Sequence, residues 1–540
     1  VLGSKSLHLG SLATIKYPDR LSEMLDAIAY CIQMHTKPLR DRFGPGSELR
    51  LIQELLEECD SKIHLLVKSF IDSKKIAKIV SGVRKVMRQM APRDRNNECK
   101  SPRESGKYDP KVLDAMLEEI AYICREIQIF DFNIRQVGDS ARSELKSSPS
   151  QAYLHKCMCE DRLKDTLPRT TKVNQLQQEL TGQYIAIEEY FMSQDVQTAI
   201  SLDDNSDHNQ TTSMVDDVFY ILKKCSERAF STCDINSACA IVNLLNNMLI
   251  TLYKDQLSSK IEECWEKTGK LSNLLSFGSS VSGDVDSLLV DGSHGNIITA
   301  LNNMDVSAQH TITLRSHLVG LAGQVFRHMP SAVKMANQCL EGLNDTATDY
   351  NKLVKDNVNK FVVTQVEKVN GPQALGSLLE QFGLQSYELK EADYSNRQAN
   401  DTYIPGLLQA LQMQHKSMAG KMTQNNLDLM LHALASHVTK RIESSAMRKR
   451  FTFWGGLQFD KDVRKVSSLF TNLVCTNPIR EKFARIMQMA SVLQVDCVEE
   501  VLDYWTSDSQ VWRLSPREVK MVLGLRLEFK KPQIQKLKLT

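Results

Sequence analysis

Three Gly-Lys pairs, Gly106-Lys107, Gly269-Lys270 and Gly420-Lys421, mark where a phosphate-cradling loop would have to lie. Such a loop needs glycine-rich backbone, then lysine, then serine or threonine, and here Tyr108, Leu271 and Met422 follow. There is no P-loop. The stretch from Gly278 to Gly283 mimics a nucleophile elbow, but its serine spacing is wrong and no strand precedes it, so it reads as a flexible linker. His432 and His437 are five apart, which on a helix turns them roughly 140° away from each other and prevents shared metal ligation. Asp284, Asp286 and Asp291 imitate a calcium loop until Leu288 occupies a ligand position and no closing glutamate follows. Of thirteen cysteines, the closest pair, Cys157 and Cys159, has no second cluster to complete a zinc site. These residues point to no enzyme, no cofactor and no metal.

Two cationic regions carry a different chemistry. From Asp72 to Lys107 there are eleven lysines and arginines against four acids. The run Met447-Arg448-Lys449-Arg450-Phe451-Thr452-Phe453-Trp454 alternates cations with aromatics. Such a pattern can hold an anionic lipid surface through charge plus shallow aromatic insertion, with Arg448, Lys449, Arg450, Phe451 and Phe453 as the contacts. The competing reading is a solvated helix face beside a loop whose aromatics plug a core. Trp505 and Trp512 flank the polar stretch Thr506 to Gln510, either anchoring it or facing a partner as a hot spot.

The elements that must position these residues are helices. Ile52, Leu55, Leu56, Cys59, Ile63, Leu66, Val67 and Phe70 fall on one helical face, as do Leu427, Leu431, Leu434, Val438 and Ile442. Asp109-Pro110, Asn477-Pro478 and Ser515-Pro516 each place a capping side chain before a proline at the first helical position, and Glu518 completes a capping box with Ser515. Alternating β-branched runs joined by Asn-Gly or Asp-Gly turns are missing, so the chain reads as all-α. The adjacent Gly455 and Gly456 predict a sharp turn before a helix that starts at Asp460 or Lys461.

With 540 residues the chain exceeds one hydrophobic core, and its 42% apolar content is sufficient for several. Polar stretches at Pro92 to Tyr108, Gly138 to Gln151, Asp203 to Thr212, Phe277 to Asn296 and Asp393 to Gly406 read as loops. They predict helical bundle domains over 1–202, 213–392 and 403–540, the middle one with a flexible loop at 277–296. Sixty-seven basic residues against 65 acidic ones leave no field that would draw the chain to nucleic acid. No unbroken apolar run spans a bilayer and no signal-peptide pattern opens the chain, so membrane contact is expected to be peripheral. The scattered cysteines fit a reducing compartment.

At the C-terminal end, Trp454-Gly455-Gly456-Leu457-Gln458-Phe459-Asp460-Lys461, Lys482-Phe483-Ala484-Arg485, Leu502-Asp503-Tyr504-Trp505 and Trp512-Arg513-Leu514 follow in order. Earlier come Phe43-Gly44-Pro45-Gly46, Glu58-Cys59-Asp60 and Ser213-Met214-Val215-Asp216-Asp217-Val218-Phe219-Tyr220. Together they resemble the fourth-subunit family of the conserved oligomeric Golgi complex, a vesicle tether. That resemblance implies an elongated rod of stacked helical bundles, as in other multisubunit tethering complexes. It implies a role in retrograde intra-Golgi transport and Golgi organisation, at the cytosolic face of the Golgi membrane. The implied partners are sibling subunits, Golgi SNAREs with their Sec1/Munc18-type regulator, and Rab-type GTPases. The family's N-terminal region, which carries much of that binding, is expected to lie upstream of Val1.

Within the resembling segment, Arg485 sits on a helix between apolar Phe483 and Ile486, and Glu518 heads the next amphipathic helix. An ion pair between them would lock two helices together, while Glu518 caps its own. Trp454, Trp505 and Trp512 complete the candidate interaction residues.

Overall fold

A computed structural model describes residues 17–44, 47–90, 108–147, 171–203, 210–276, 283–367, 374–400, 403–474, 479–505 and 511–539. In chain order the helices are α1 (Tyr17–Phe43), α2 (Ser47–Ser73), α3 (Ile76–Met90), α4 (Pro110–Ser147), α5 (Lys172–Ser201), α6 (Ser213–Ser231) and α7 (Ile235–Met248). A π-helical turn, Leu249–Tyr253, joins α7 to α8 (Lys254–Ser276). There follow α9 (Gly283–Val325), α10 (Pro330–Glu367), α11 (Leu375–Leu384), α12 (Glu391–Asn400), α13 (Tyr403–Ala419) and α14 (Gln424–Ala446). The chain closes with α15 (Phe453–Leu473), α16 (Arg480–Val492), α17 (Val501–Trp505), α18 (Pro516–Leu523) and α19 (Lys531–Lys536). The fold is all-α. Among the described residues, extended pairing is confined to the isolated bridges of Phe451 with Tyr387 and with Arg526.

Where the sequence predicts three consecutive domains, the chain divides into two compact units built from interleaved segments. The first comprises residues 1–205, 213–255 and 310–346; the second comprises 206–212, 256–309 and 347–540. The expected 213–392 domain is thus shared between them. Two expected loops are helical: α4 continues to Ser147, and α9 begins at Gly283, leaving only 277–282 of the supposed linker outside the described residues. Glycine and serine lower helix propensity by at most about 1 kcal/mol each, which packing further along the same helix, at Ile297, Ile298, Leu301 and Met304, can offset. Around Asp393 to Gly406, α12 and α13 likewise leave only 401–402 undescribed. Cys157, Cys159, Asn477, Pro478, Thr506 to Gln510 and Pro92 to Lys107 lie outside the described residues, as do the side chains of Asp284, Asp286 and Asp291.

In the first unit α5 is the central helix, touching α2, α3, α4, α6 and α7. Its buried residues, among them Leu180, Tyr184, Ile187 and Phe191, line a broad face with Met192 at its edge, while Gln178, Glu179 and Gly182 are exposed on the opposite side. Asp60 of α2 fixes its start by accepting the N–H groups of Lys172 and Val173 at 3.0 and 2.9 Å, beside the capping box of Thr171 and Asn174. A charge network centred on the buried Arg228–Glu188 pair ties the bundle. The Arg228 guanidinium on α6 donates to both Glu188 oxygens on α5 at 2.9 and 2.6 Å, and to Asp114 and Glu118 on α4 at 2.7 and 3.2 Å. Lys224 adds a 2.6 Å contact to Asp114.

The stretch Ile235–Lys270 is long and apolar enough to cross a membrane, which qualifies the sequence reading. Here Ala238, Ile241, Val242, Leu245 and Leu249 are buried, so a protein core accounts for part of that apolarity, with 39% of the apolar window buried. Asn243 and Asn247 are exposed on the same stretch, and their amides would be costly to place in hydrocarbon.

In the second unit, α14 packs on α11, α13, α15 and α16, and α16 on α15 and α18. The stripe Leu427, Leu431, Leu434, Val438 and Ile442 is buried. A polar clamp holds the start of α14: the Asn302 amide donates to the Lys421 carbonyl at 2.8 Å and its oxygen accepts the Thr423 N–H at 3.0 Å, while the Thr423 hydroxyl donates to Asp305 at 2.6 Å.

Candidate functional site

One junction of the second unit is built on Phe451. Its N–H donates to the Leu525 carbonyl and its own carbonyl accepts the Leu527 N–H, both at 2.9 Å. Its ring stacks on Tyr387 with centroids 5.2 Å apart and meets Phe459 edge-on at 5.6 Å. The Tyr387 hydroxyl donates to Asp462 at 2.9 Å, and the same carboxylate accepts the Gln458 amide at 2.8 Å. Burial first, and then the Asp462 charge, push the Tyr387 phenol well above its ordinary range. Arg526, itself buried, donates to the carbonyls of Leu493 and Val495 at 2.6 and 3.1 Å and to Glu528 at 2.9 Å.

Gly455 and Gly456 lie inside the first turn of α15, not in a turn before it. Thr452 caps that helix, its hydroxyl accepting the Gly455 N–H at 3.2 Å and donating to the Leu389 carbonyl at 2.6 Å. A Cβ on Gly455 would sit 1.7 Å from the Tyr387 carbonyl oxygen, and one on Gly456 would sit 2.2 Å from that of Leu493. The glycine pair therefore admits two neighbouring backbones against the helix, a need that spacing along the chain does not reveal.

Arg485 and Glu518 are in contact, and a third residue joins them. The Arg485 Nη2 donates to Glu518 Oε1 at 2.6 Å, Nη1 to Oε2 at 3.3 Å, and Nε to Glu443 of α14 at 2.8 Å. Nη1 also reaches the Arg513 carbonyl at 3.3 Å. Glu518 meanwhile accepts the Ser515 N–H and hydroxyl, each at 2.8 Å, so capping and pairing coexist on one carboxylate. The Arg485 guanidinium first, and the Ser515 groups after it, hold the Glu518 carboxyl down at about 2. Glu518, then Glu443, raise the affinity of Arg485 for its proton. The clasp joins α14, α16 and α18.

The three tryptophans are half-buried. Trp454 packs on Tyr394 with centroids 5.2 Å apart; Trp505 and Trp512 pack on each other at 4.9 Å with their planes tilted by 39°, and the Trp512 indole donates to the Tyr504 carbonyl at 3.3 Å.

The membrane-contact reading of 448–453 needs correction. Phe451 has no exposed surface, because it is the centre of the junction just described. Phe453 is half-buried against Trp454 and the Arg526 guanidinium. Lys449 donates to the carbonyls of Gly383 and Gln385 and lies over the Phe382 and Tyr387 rings; burial first, and then Arg397, bring its amine down to about 8. Only Arg448 and Arg450 are exposed, and two cations without aromatics lack the insertion that the reading required.

Two family models match the chain. "COG4 transport protein, middle alpha-helical bundle" covers residues 5–261 and "Conserved oligomeric Golgi complex subunit 4, C-terminal" covers 297–521. The chain is 30% identical over 532 residues to the conserved oligomeric Golgi complex subunit 4 of Arabidopsis thaliana, with 98% of this chain and 66% of that protein covered. The chain belongs to this family. The Homo sapiens subunit is 29% identical over 553 residues, again with 98% and 66% covered. This chain thus spans about two thirds of the length of the curated relatives it matches. Among solved structures, the C-terminal domain of the exocyst subunit Sec6p aligns with a TM-score of 0.46 and 12% identity, covering 67% of this chain and 89% of that one.

The family's C-terminal model takes in Arg485, Glu518, all three tryptophans and the glycine pair. Sequence reasoning missed Glu443, Tyr387, Asp462 and Arg526. Glu443 had a readable signal, since it follows Ile442 on the buried stripe of α14 and sits near its C-terminal end, where an acid opposes the helix dipole and needs a cation. The others are joined across more than thirty residues of chain, from Arg526 to Leu493 for instance, and nothing local marks them.

Proposed function

We propose that this chain is a non-catalytic subunit of a Golgi vesicle-tethering complex, acting in retrograde intra-Golgi transport and Golgi organisation through protein–protein contacts. The observation that carries the reading is the match to subunit 4 relatives along 98% of the chain. An all-helical fold supports it physically. A tether gains from separated weak contacts that raise one another's effective concentration, and helical faces offer such surfaces without chemistry.

Its partners in this reading are the other subunits of the complex, together with Golgi SNAREs, their Sec1/Munc18-type regulator and Rab-type GTPases. It works peripherally at the cytosolic face of the Golgi membrane. Within the second unit, the Arg485–Glu518–Glu443 clasp and the Phe451 junction hold the scaffold, while Trp454, Trp505 and Trp512 are the residues proposed to anchor or face a partner.

The test is affinity capture of the tagged chain from its own cells, followed by mass spectrometry. Recovery of sibling tether subunits at comparable abundance is expected. Their absence, with other proteins enriched in their place, would overturn the proposal.

A further inference from the structure

At the C-terminal end of the second unit, α18, α19 and the end of α14 enclose an open groove of about 740 Å³. Its floor is apolar, formed by Met447, Met521, Leu525 and Ile534. Arg517, Lys520 and Lys531 give it a cationic lining, and among the described residues no carboxylate lines it. On α18 the core-facing side is Val519, Val522 and Leu523, all buried, whereas Met521 is 44% exposed into the groove. Met521 is thus an apolar side chain of the helix left outside its core-facing side, between Arg517 and Lys520. The acid on the same helix, Glu518, is turned away to Arg485 and Ser515, so it does not neutralise that lining. Lys520 donates to the Gln535 backbone carbonyl at 3.5 Å, a contact that brings no negative charge to it.

We propose that this groove docks an acidic amphipathic helix from a partner protein. The proposal rests on the reading of the chain as a protein-binding subunit and names the chemistry of one partner. Charge complementarity decides the occupant: three lining cations, with no carboxylate among the described lining residues, ask for glutamate or aspartate along the edge of the incoming helix. The floor asks for leucine-like side chains at i, i+3 or i+4, and i+7, and methionines adapt to such side chains with little repacking. An anionic bilayer offers the same charge but no side chains spaced to fill the groove, and the vesicle arm of the test distinguishes it.

The test uses the full chain and two fluorescent synthetic helices of about five turns, sharing one leucine face and differing only in glutamate or lysine flanks. The glutamate peptide is expected to bind, with an affinity that falls as salt is added. Lys520→Glu combined with Lys531→Glu should weaken it roughly tenfold or more, and should invert the preference in favour of the lysine peptide. Met521→Glu should abolish binding of the glutamate peptide. All three side chains have exposed surface, and an unchanged thermal midpoint for each variant separates lost docking from lost folding. Equal binding of the two peptides, or an unaltered affinity in the charge-reversed variant, would overturn the proposal. So would Met521-dependent capture of anionic phosphatidylserine vesicles without peptide binding, or a Met521-dependent dimer of this chain. If sibling subunits are still captured while no peptide binds, the groove fails and the tether reading stands; if neither is bound, both fail.

Discussion

Arg485 is 39% exposed, so the clasp falls between a solvated ion pair and a buried one. Exposed pairs contribute under about 1 kcal/mol and stranding one partner of a buried pair costs about 3–5 kcal/mol. The bidentate contact to Glu518 and the second carboxylate of Glu443 raise the exposed figure, and Arg485→Trp is expected to lower the unfolding free energy of the second unit by about 2 kcal/mol. Urea denaturation gives the value, and an unchanged midpoint would remove the clasp from the account. The pH dependence has a definite sign. Glu518 is held at about 2 in the folded chain, below its ordinary value of about 4.3 in an unfolded one. Its contribution is therefore complete above about pH 4.5 and is lost as pH falls towards 2. Glu518→Gln keeps a side chain able to complete the capping box but removes the charge, so it should flatten the stability profile in that window and leave the slope above pH 5 unchanged. At this scale the sequence was legible wherever a residue's role is local. Ser515, Pro516 and Glu518 announce their cap within four positions, whereas Glu443 is brought to Arg485 across 42 residues of chain.

Two elements carry opposite predictions for the same substitution. In α13, Gly406 has open space where a Cβ would go, so Gly406→Ala should stabilise by about 0.5–1 kcal/mol through helix propensity and reduced unfolded-state freedom. In α15, Gly455→Ala and Gly456→Ala gain the same propensity but drive a methyl group into the Tyr387 or Leu493 carbonyl. Each should destabilise by about 1–3 kcal/mol. Paired thermal melts check the contrast, and a stabilising Gly455→Ala would show that the close approach of the Tyr387 backbone is wrong. In the first unit, Arg228→Met leaves Glu188 buried without its cation and should cost about 3–5 kcal/mol, while adding Glu188→Leu should recover most of that loss. Failure of the double variant to recover would mean that Asp114 and Glu118, not Glu188, depend most on Arg228. Helix type and apolar stripes were readable because they repeat every three or four residues. The role of Gly455-Gly456 was misread as a turn, because a glycine that admits a neighbouring backbone looks the same in sequence as one that bends its own.

The division of the whole chain was the least legible feature. Local composition marks polar stretches, but the two units interleave: 310–346 belongs to the first while 256–309 and 347–540 belong to the second. A boundary drawn at 403 consequently cuts through one unit, separating Asp462 from Tyr387 and Thr423 from Asn302 and Asp305. A fragment of residues 403–540 should therefore unfold at lower urea than the same residues in the full chain, since it leaves buried polar groups unpaired at about 1–3 kcal/mol each. The functional reading belongs to this scale as well, because membership of the subunit 4 family is a property of nearly the whole chain and of no single catalytic residue. Native sizing of the endogenous chain from gently lysed cells tests that reading most directly. The account predicts that the chain elutes in a large assembly together with its sibling tether subunits at a fixed ratio; elution as a lone monomer, with the siblings assembled elsewhere, would contradict it.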